Sequence, residues 1–371
     1  MPHDVSRREW IKGLCIGAVI GVPGLSSLLR RSAHRGEHEE ITDAERRAMA
    51  DVAESFRRSI DAPGLSIAIA RDGRLEYAQG FGTIGHDSGE PLTTSNLFRI
   101  ASVSKPITSA AIFSLIEDGR LRADDTVFGV HGILGTRYGH RPYAAGIEQI
   151  TIDHLLTHSS GGWGAEHDPM FLNTSLDQAE LITWALDAQP PSNLPGKAFA
   201  YSNFGYCVLG RVIEQVSGRS YAEYVQERIL SPSGISDMRI ARNSIRDRAP
   251  NEVTYYGQGE GSLSDPYALN VSRMDSHGGW IATPTDLVHF ATHVDGFNPA
   301  RNILRHETIT QMVSPSPVNP RYARGWNVNA KGHWWHGGDL AGSSAILVRT
   351  SSHFLISACP SAKPKPQAPL W

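Results

Sequence analysis

The chain has 371 residues, 40% hydrophobic and 20% charged, enough to bury a substantial core and without the composition of a disordered chain. Its 35 Lys and Arg against 38 Asp and Glu give a formal net charge of -3, with no basic stripe to follow a phosphate backbone, so nucleic acid is set aside as a partner. Three cysteines, none at metal-ligand spacing, imply neither a disulfide framework nor a zinc site, and Cys207 and Cys359 read as buried small hydrophobes.

Residues 1–36 read as an address. Ser6-Arg7-Arg8-Glu9-Trp10-Ile11-Lys12 has the twin-arginine pattern, and the apolar run from Gly13 to Leu29, broken by Pro23 and containing Cys15, supplies its hydrophobic region. The expectation is export of a folded protein to the periplasm or the exterior. No clean A-x-A site follows, so a membrane tether through the uncleaved segment is the alternative.

Thr42-Asp43-Ala44-Glu45 has capping-box spacing and opens a helix running towards Arg58. Leu65 to Arg71 and Leu75 to Phe81 are β-prone runs joined around Asp72-Gly73, a hairpin signal. From about Ile100 to Ile240 helical segments alternate with Gly- and Pro-containing loops. The helix opening at Ser102 puts Ile107, Ala110, Ala111 and Leu115 on one face and ends near Asp118-Gly119. Short strands return after Trp280, around Arg324 to Asn329, Ser343 to Arg349 and His353 to Ala358, the last two as a hairpin. This order predicts an α/β fold: an antiparallel sheet completed from both ends of the chain and flanked by helices, with an all-α lobe inserted. The sheet part spans about 42–100 and 270–359, the helical part about 101–269, and an irregular Pro- and Lys-rich tail 360–371. A cleft at the junction is the natural place for a site.

Ser102-Val103-Ser104-Lys105 places a hydroxyl and an amine one helical turn apart, a nucleophile with a base beside it. Alone, the pattern is equally a capping Ser with a solvated Lys. Tyr201-Ser202-Asn203 and His336-Gly337-Gly338 follow in the order of a three-motif serine acyl-transfer site. His154 and His158 have i,i+4 spacing, but the glutamate of a helical H-E-x-x-H pair is absent, which speaks against a metal. Trp334-Trp335 reads as core or cleft wall.

With these residues the chain resembles the serine β-lactamase and penicillin-binding-protein-like superfamily, in the branch holding class C β-lactamases, D-alanyl-D-alanine carboxypeptidases and related esterases. The resemblance extends through Phe98-Arg99-Ile100-Ala101, the Ile152-to-Gly161 segment with Leu155-Leu156-Thr157-His158-Ser159, the Gly278-to-Leu287 segment, and Tyr322-Ala323-Arg324-Gly325-Trp326. It implies a cofactor-free hydrolase acting on a small-molecule or peptide acyl donor. Ser102 would be the nucleophile, Lys105 and Tyr201 the bases, with the order of proton transfer open. Asn203 would orient the acyl donor, and His336 and Gly338 would form the third motif on the strand lining the site, where a glycine lets the substrate backbone approach. The backbone N–H groups of Ser102 and Asp339 would form the oxyanion hole.

Four departures from the pattern stand out. Histidine at 336 replaces the frequent Lys, giving a titratable charge whose hold on substrate fades as pH rises. Gly337 replaces Thr and removes a hydroxyl that binds the carboxylate of penicillins and peptidyl-D-alanine. Asp339 opposes an oxyanion if it points into the site and is harmless if it points away. After Ala358 the sequence is too Pro-rich for the long helix that usually covers the sheet, so that edge is either closed differently or destabilised. The expected function is a serine hydrolase of a small ester or amide, ahead of a D-alanyl-D-alanine carboxypeptidase and a β-lactamase. A non-catalytic acyl-binding or sensor protein is the rival.

Overall fold

The computed structural model describes residues 41–164, 167–257 and 264–362. The twin-arginine stretch, Cys15 and the tail beyond 362 lie outside the described residues. The Thr42 hydroxyl accepts the Glu45 N–H, and the Glu45 carboxylate accepts the Thr42 N–H at 2.8 Å, closing the capping box of α1 (Asp43–Ser59). β1 (Gly64–Arg71) turns through Asp72 and Gly73, at φ 52° and 74°, into β2 (Arg74–Gly82). Two successive left-handed residues give the turn a twist that matches its strands.

β3 (Phe98–Arg99) leads into a 3-10 turn, Ala101–Val103, and then α2 (Ser104–Glu117). Ser102 therefore sits on the tighter turn ahead of the helix rather than in its first α-helical turn. α2 is buried on every side from Ser104 to Leu115, not only along the Ile107 to Leu115 stripe. A helix apolar all round belongs in the centre of a fold, and α2 stands between sheet and lobe. The lobe follows as α3 (Ile152–Leu156), α4 (Pro169–Leu172), α5 (Gln178–Ala188), α6 (Asn203–Ser217) and α7 (Tyr221–Val225).

β4 (Arg239–Ile240), α8 (Asp275–Gly278) and β5 (Trp280–Ala282) come next, and β3, β5 and β4 form a small antiparallel sheet. The sequence reading had no such sheet, because strands of two or three residues carry no measurable period. It fastens the segment just ahead of Ser102 to the chain that returns from the lobe. The remaining elements are α9 (Pro284–Thr292), α10 (His306–Val313), β6 (Asn327–Val328), β7 (Trp334–Leu340), β8 (Ser343–Arg349) and β9 (Phe354–Pro360). The strand expected over Arg324 to Asn329 shrinks to β6, and the last strand runs on past Ala358 to Pro360.

The main sheet has the order β2-β1-β9-β8-β7-β6, every pair antiparallel, so the first and last parts of the described chain meet at β1 and β9. Side chains alternate between its faces. Leu65, Ile69, Ile346, Val348, Phe354 and Ile356 pack with Met49 and Ala53 of α1. Ala68, Ala70, Ala345, Leu347, Leu355 and Cys359 join the main core with α2 and α9. The face for which the resemblance implied a long terminal helix is thus lined by α1.

Candidate active site

Ser102 lies on a strained turn. Ala101 sits at φ 48°, a left-handed conformation that costs a residue with a β-carbon about 1–2 kcal/mol. The turn is held by the Ile100 N–H donating to the Trp280 carbonyl of β5 and the Val103 N–H donating to the Ile100 carbonyl, both at 3.1 Å. Gly338 of β7 presses against it. A β-carbon there would stand 2.7 Å from the Ser102 nitrogen and closer still to the Ile100 carbonyl oxygen. The structure adds a reason for the glycine that the sequence did not offer: it admits the backbone of the Ser102 turn.

Lys105 is fully buried, and its ammonium reaches Ser102 Oγ at 3.1 Å, Asn203 Oδ1 at 2.7 Å and the His277 carbonyl at 3.0 Å. The solvated-lysine alternative is thereby removed. The last two oxygens can only accept. Once the amine is neutral, they hold its two hydrogens and leave the lone pair for the Ser102 hydroxyl. The orientation of Asn203 is itself fixed, because its Nδ2 donates to Asp168 at 3.0 Å. The same carboxylate takes the N–H groups of Asn203 at 2.7 Å, Phe204 at 3.3 Å and Met170 at 3.1 Å, joining the start of α6 to α4. Burial pushes the Asp168 carboxyl up, against the pull of these donors and of Lys105. Burial, with Lys105 and Arg273 adding to it, pushes the His277 imidazole far down, so the side chain beside the lysine is neutral.

Tyr201 lies over the lysine, its ring centroid 4.8 Å from Lys105 Nζ, and is flanked by the rings of His158 at 4.3 Å and His336 at 6.3 Å. His336, only 2% exposed, is on the same face of β7 as Trp334 and Gly338. Asn327 Nδ2 donates to the Trp335 carbonyl across the β6 side. Backbone groups of alternate residues face the same edge, so the Asp339 N–H points to that side, beyond the end of β6. Its side chain shares the face of Trp335, which packs with the α1 cluster, and accepts the hydroxyl of Ser344 on β8 at 2.5 Å. Of the two orientations open to Asp339, the structure has the one turned away.

Ser102, Lys105, Tyr201, Asn203, His336 and Gly338 therefore converge on one turn. His158 is bonded to Ser202 and Tyr322 through its two nitrogens, and His154 Nδ1 accepts the Thr151 N–H. Trp334 is core, 5.5 Å from Trp326. Cys207 and Cys359 are buried free thiols. Asp168, the His277 carbonyl and Tyr322 were not foreseen as site residues. Tyr322 and His158 lie in segments that carried the family resemblance, whereas Asp168 belongs to no motif.

A family model described as Beta-lactamase matches residues 44–363. Protein flp of Staphylococcus aureus strain MW2 is 26% identical over 293 residues, covering 77% of this chain and 57% of its own length. Penicillin-binding protein 4* of Bacillus subtilis strain 168 is 29% identical over 204 residues, covering 52% of this chain and 41% of its own. The chain spans about half the length of these curated relatives. The octameric penicillin-binding protein homologue from Pyrococcus abyssi superposes with a TM-score of 0.70 at 25% identity, over 88% of this chain and 75% of that one.

Proposed function

Because this chain belongs to the Beta-lactamase family of serine hydrolases, we propose that it cleaves a small ester or amide through an acyl-serine at Ser102. The observation that carries the reading is Lys105, buried, 3.1 Å from Ser102 Oγ and held by two oxygens that can only accept. In its neutral form the amine takes the Ser102 proton while Oγ attacks the carbonyl carbon of the acyl donor. The resulting oxyanion is held by the N–H groups of Ser102 and Asp339, a pair of which each donor is worth about 10²–10³ in rate. Tyr201, over the ammonium, hands a proton to the departing alcohol or amine. Water then attacks the acyl-serine, and the proton it loses returns through the same pair to Ser102. Asn203 orients the acyl donor as well as the lysine.

A donor without a carboxylate is favoured, because the resemblance assigns a carboxylate-binding hydroxyl to position 337 and this chain has Gly337 there. This ranks D-alanyl-D-alanine carboxypeptidase and β-lactamase activity behind esterase or amidase activity. Export by the twin-arginine route, with the first 36 residues as signal or tether, is part of the same proposal. The test is hydrolysis of p-nitrophenyl butyrate by the purified protein, against Ser102→Ala and Lys105→Ala, followed by amide and β-lactam panels. Turnover that collapses in both variants supports the mechanism. Turnover that persists in either variant refutes it, and an inactive wild type on every panel restores the acyl-binding or sensor reading.

A further inference from the structure

Behind Tyr201 runs a row of side chains whose hydrogens are fixed from both ends by the backbone. The Ser202 N–H, which can only donate, lies 3.0 Å from His158 Nδ1, so that nitrogen accepts and the His158 proton is on Nε2. His158 Nε2 lies 3.1 Å from Tyr322 Oη, and Tyr322 Oη lies 3.2 Å from His336 Nε2. At the far end the Gly337 carbonyl, which can only accept, lies 2.7 Å from His336 Nδ1, so this nitrogen carries a proton. With His158 donating into Oη, the Tyr322 hydroxyl has His336 Nε2 at hydrogen-bond distance to donate to, while Tyr206, whose own hydrogen goes to the Leu156 carbonyl, is its weaker neighbour. One hydrogen fills each gap, and all four bonds run in the same direction.

We propose that Tyr322, backed by His158, is a positioning residue that holds His336 neutral with its proton on Nδ1, and so selects acyl donors that carry no carboxylate. The inference rests on the acyl-serine reading above and deepens its substrate class. His158 is 1% exposed, Tyr322 and His336 2%, so no member of the row has ready access to water as a substitute partner. Burial also pushes the Tyr322 phenol far up, keeping it a hydroxyl at any working pH. A second proton on His336 would drive the Tyr322 hydrogen out of that gap towards the weaker Tyr206 contact, onto an oxygen that would then receive from both histidines. Around His336 stand Tyr201 from the loop before α6, Tyr322 from the loop before β6 with Tyr206 of α6 beyond it, and Lys105 of α2 behind the Tyr201 ring. On β7 itself the Asp339 carboxylate is turned to Ser344. The lysine opposes a further positive charge, in the same sense as the row. The sequence led us to expect a cation at 336 that titrates; the row replaces it with a polar group that a carboxylate has no reason to seek.

The test uses two p-nitrophenyl esters of equal acyl length, the hexanoate and the monoadipate, which differ by a terminal carboxylate. The ratio of kcat/KM for adipate over hexanoate is followed from about pH 5 to pH 8, with thermal melting to confirm that each variant is folded. In the wild type the ratio stays low and flat. In Tyr322→Phe it climbs by about tenfold towards acid as His336 gains its proton, in His158→Asn it climbs less, and in His336→Gln it is flat. A flat ratio in Tyr322→Phe overturns the proposal. So does a wild-type ratio that itself climbs towards acid and is levelled by His336→Gln. If the wild type cleaves neither ester, the ester reading has failed, and the ¹⁵N spectrum of labelled protein decides this one, with His336 assigned by its loss in His336→Gln. A bare Nε2 and protonated Nδ1 at neutral pH, disturbed by Tyr322→Phe, uphold it. A proton on Nε2 in the wild type overturns it.

Discussion

Replacing Gly338 by Ala should disable the site with a single methyl group. The position has no left-handed φ, so the backbone itself accepts alanine, and the cost is one of space. The new carbon would stand 2.7 Å from the Ser102 nitrogen, where roughly 3.5 Å is comfortable. Both neighbours are backbone atoms of a turn held by the Trp280 carbonyl, so no side chain can swing aside. β7 and the turn must therefore part by about 0.8 Å, with a larger shift at the Ile100 carbonyl. A misplacement near 1 Å in a reacting constellation costs on the order of 10² in rate, and overpacking of this kind costs about 1–3 kcal/mol of stability. Steady-state kcat/KM on p-nitrophenyl butyrate, with urea unfolding alongside, reads both quantities. Gly337→Ala is the control, since its methyl would meet nothing nearer than the Ala345 carbonyl at 3.9 Å. A Gly338→Ala enzyme within threefold of wild type, or an equal loss in Gly337→Ala, would refute the reasoning.

Asp168→Asn should lower kcat about tenfold or more by letting the Asn203 amide turn. Because Lys105 and Asp168 stabilise each other's charge, the acid limb of kcat/KM should also move to lower pH; an unmoved limb would reduce Asp168 to a cap. The Cys207 thiol is pushed up to about 12 by burial, and burial pushes Cys359 higher still. Iodoacetamide at neutral pH should therefore modify both only after unfolding, as peptide mass mapping will show. Hydrogen bonding to Arg57, outweighing burial, brings Glu54 to about 2 from 4.5. A depressed carboxyl lends stability above pH 4.5 that fades as pH falls through 2. The gap between wild type and Glu54→Gln in urea, under about 1 kcal/mol for a partly buried surface pair, should close over that window and narrow in high salt.

What could be read from the chain was local. The Thr42 box, the Asp72-Gly73 turn and the one-turn spacing of Ser102 and Lys105 each depend on residues close in sequence, so the same physics acts on the bare chain and in the fold. Asp168 illustrates the opposite case. Its partner Asn203 is 35 residues away and meets it only because α4 and α6 pack end to end. A lone Asp before Pro carries no signal of that. The direction in which Asp339 points was undecidable for a related reason, since it depends on which face of β7 the strand register assigns. His336 was singled out by its motif, but the contacts that link it through Tyr322 and His158 to Ser202 join residues brought together from three loops.

The pairing of Leu65 with Pro360 governs when this protein can work. β1 has no neighbour on its β9 side until nearly the last described residue has been made, and β7, which shapes the Ser102 turn, is joined to β1 in the sheet through β8 and β9. An unfinished chain therefore has a serine and a lysine at the right spacing but nothing to aim them. It also displays two unpaired strand edges, β1 and β8, rich in Ile, Val and Ala, the kind of surface that sticks to its copies. β9 therefore completes the sheet that supports the site, and a chain interrupted just before it would keep both edges exposed.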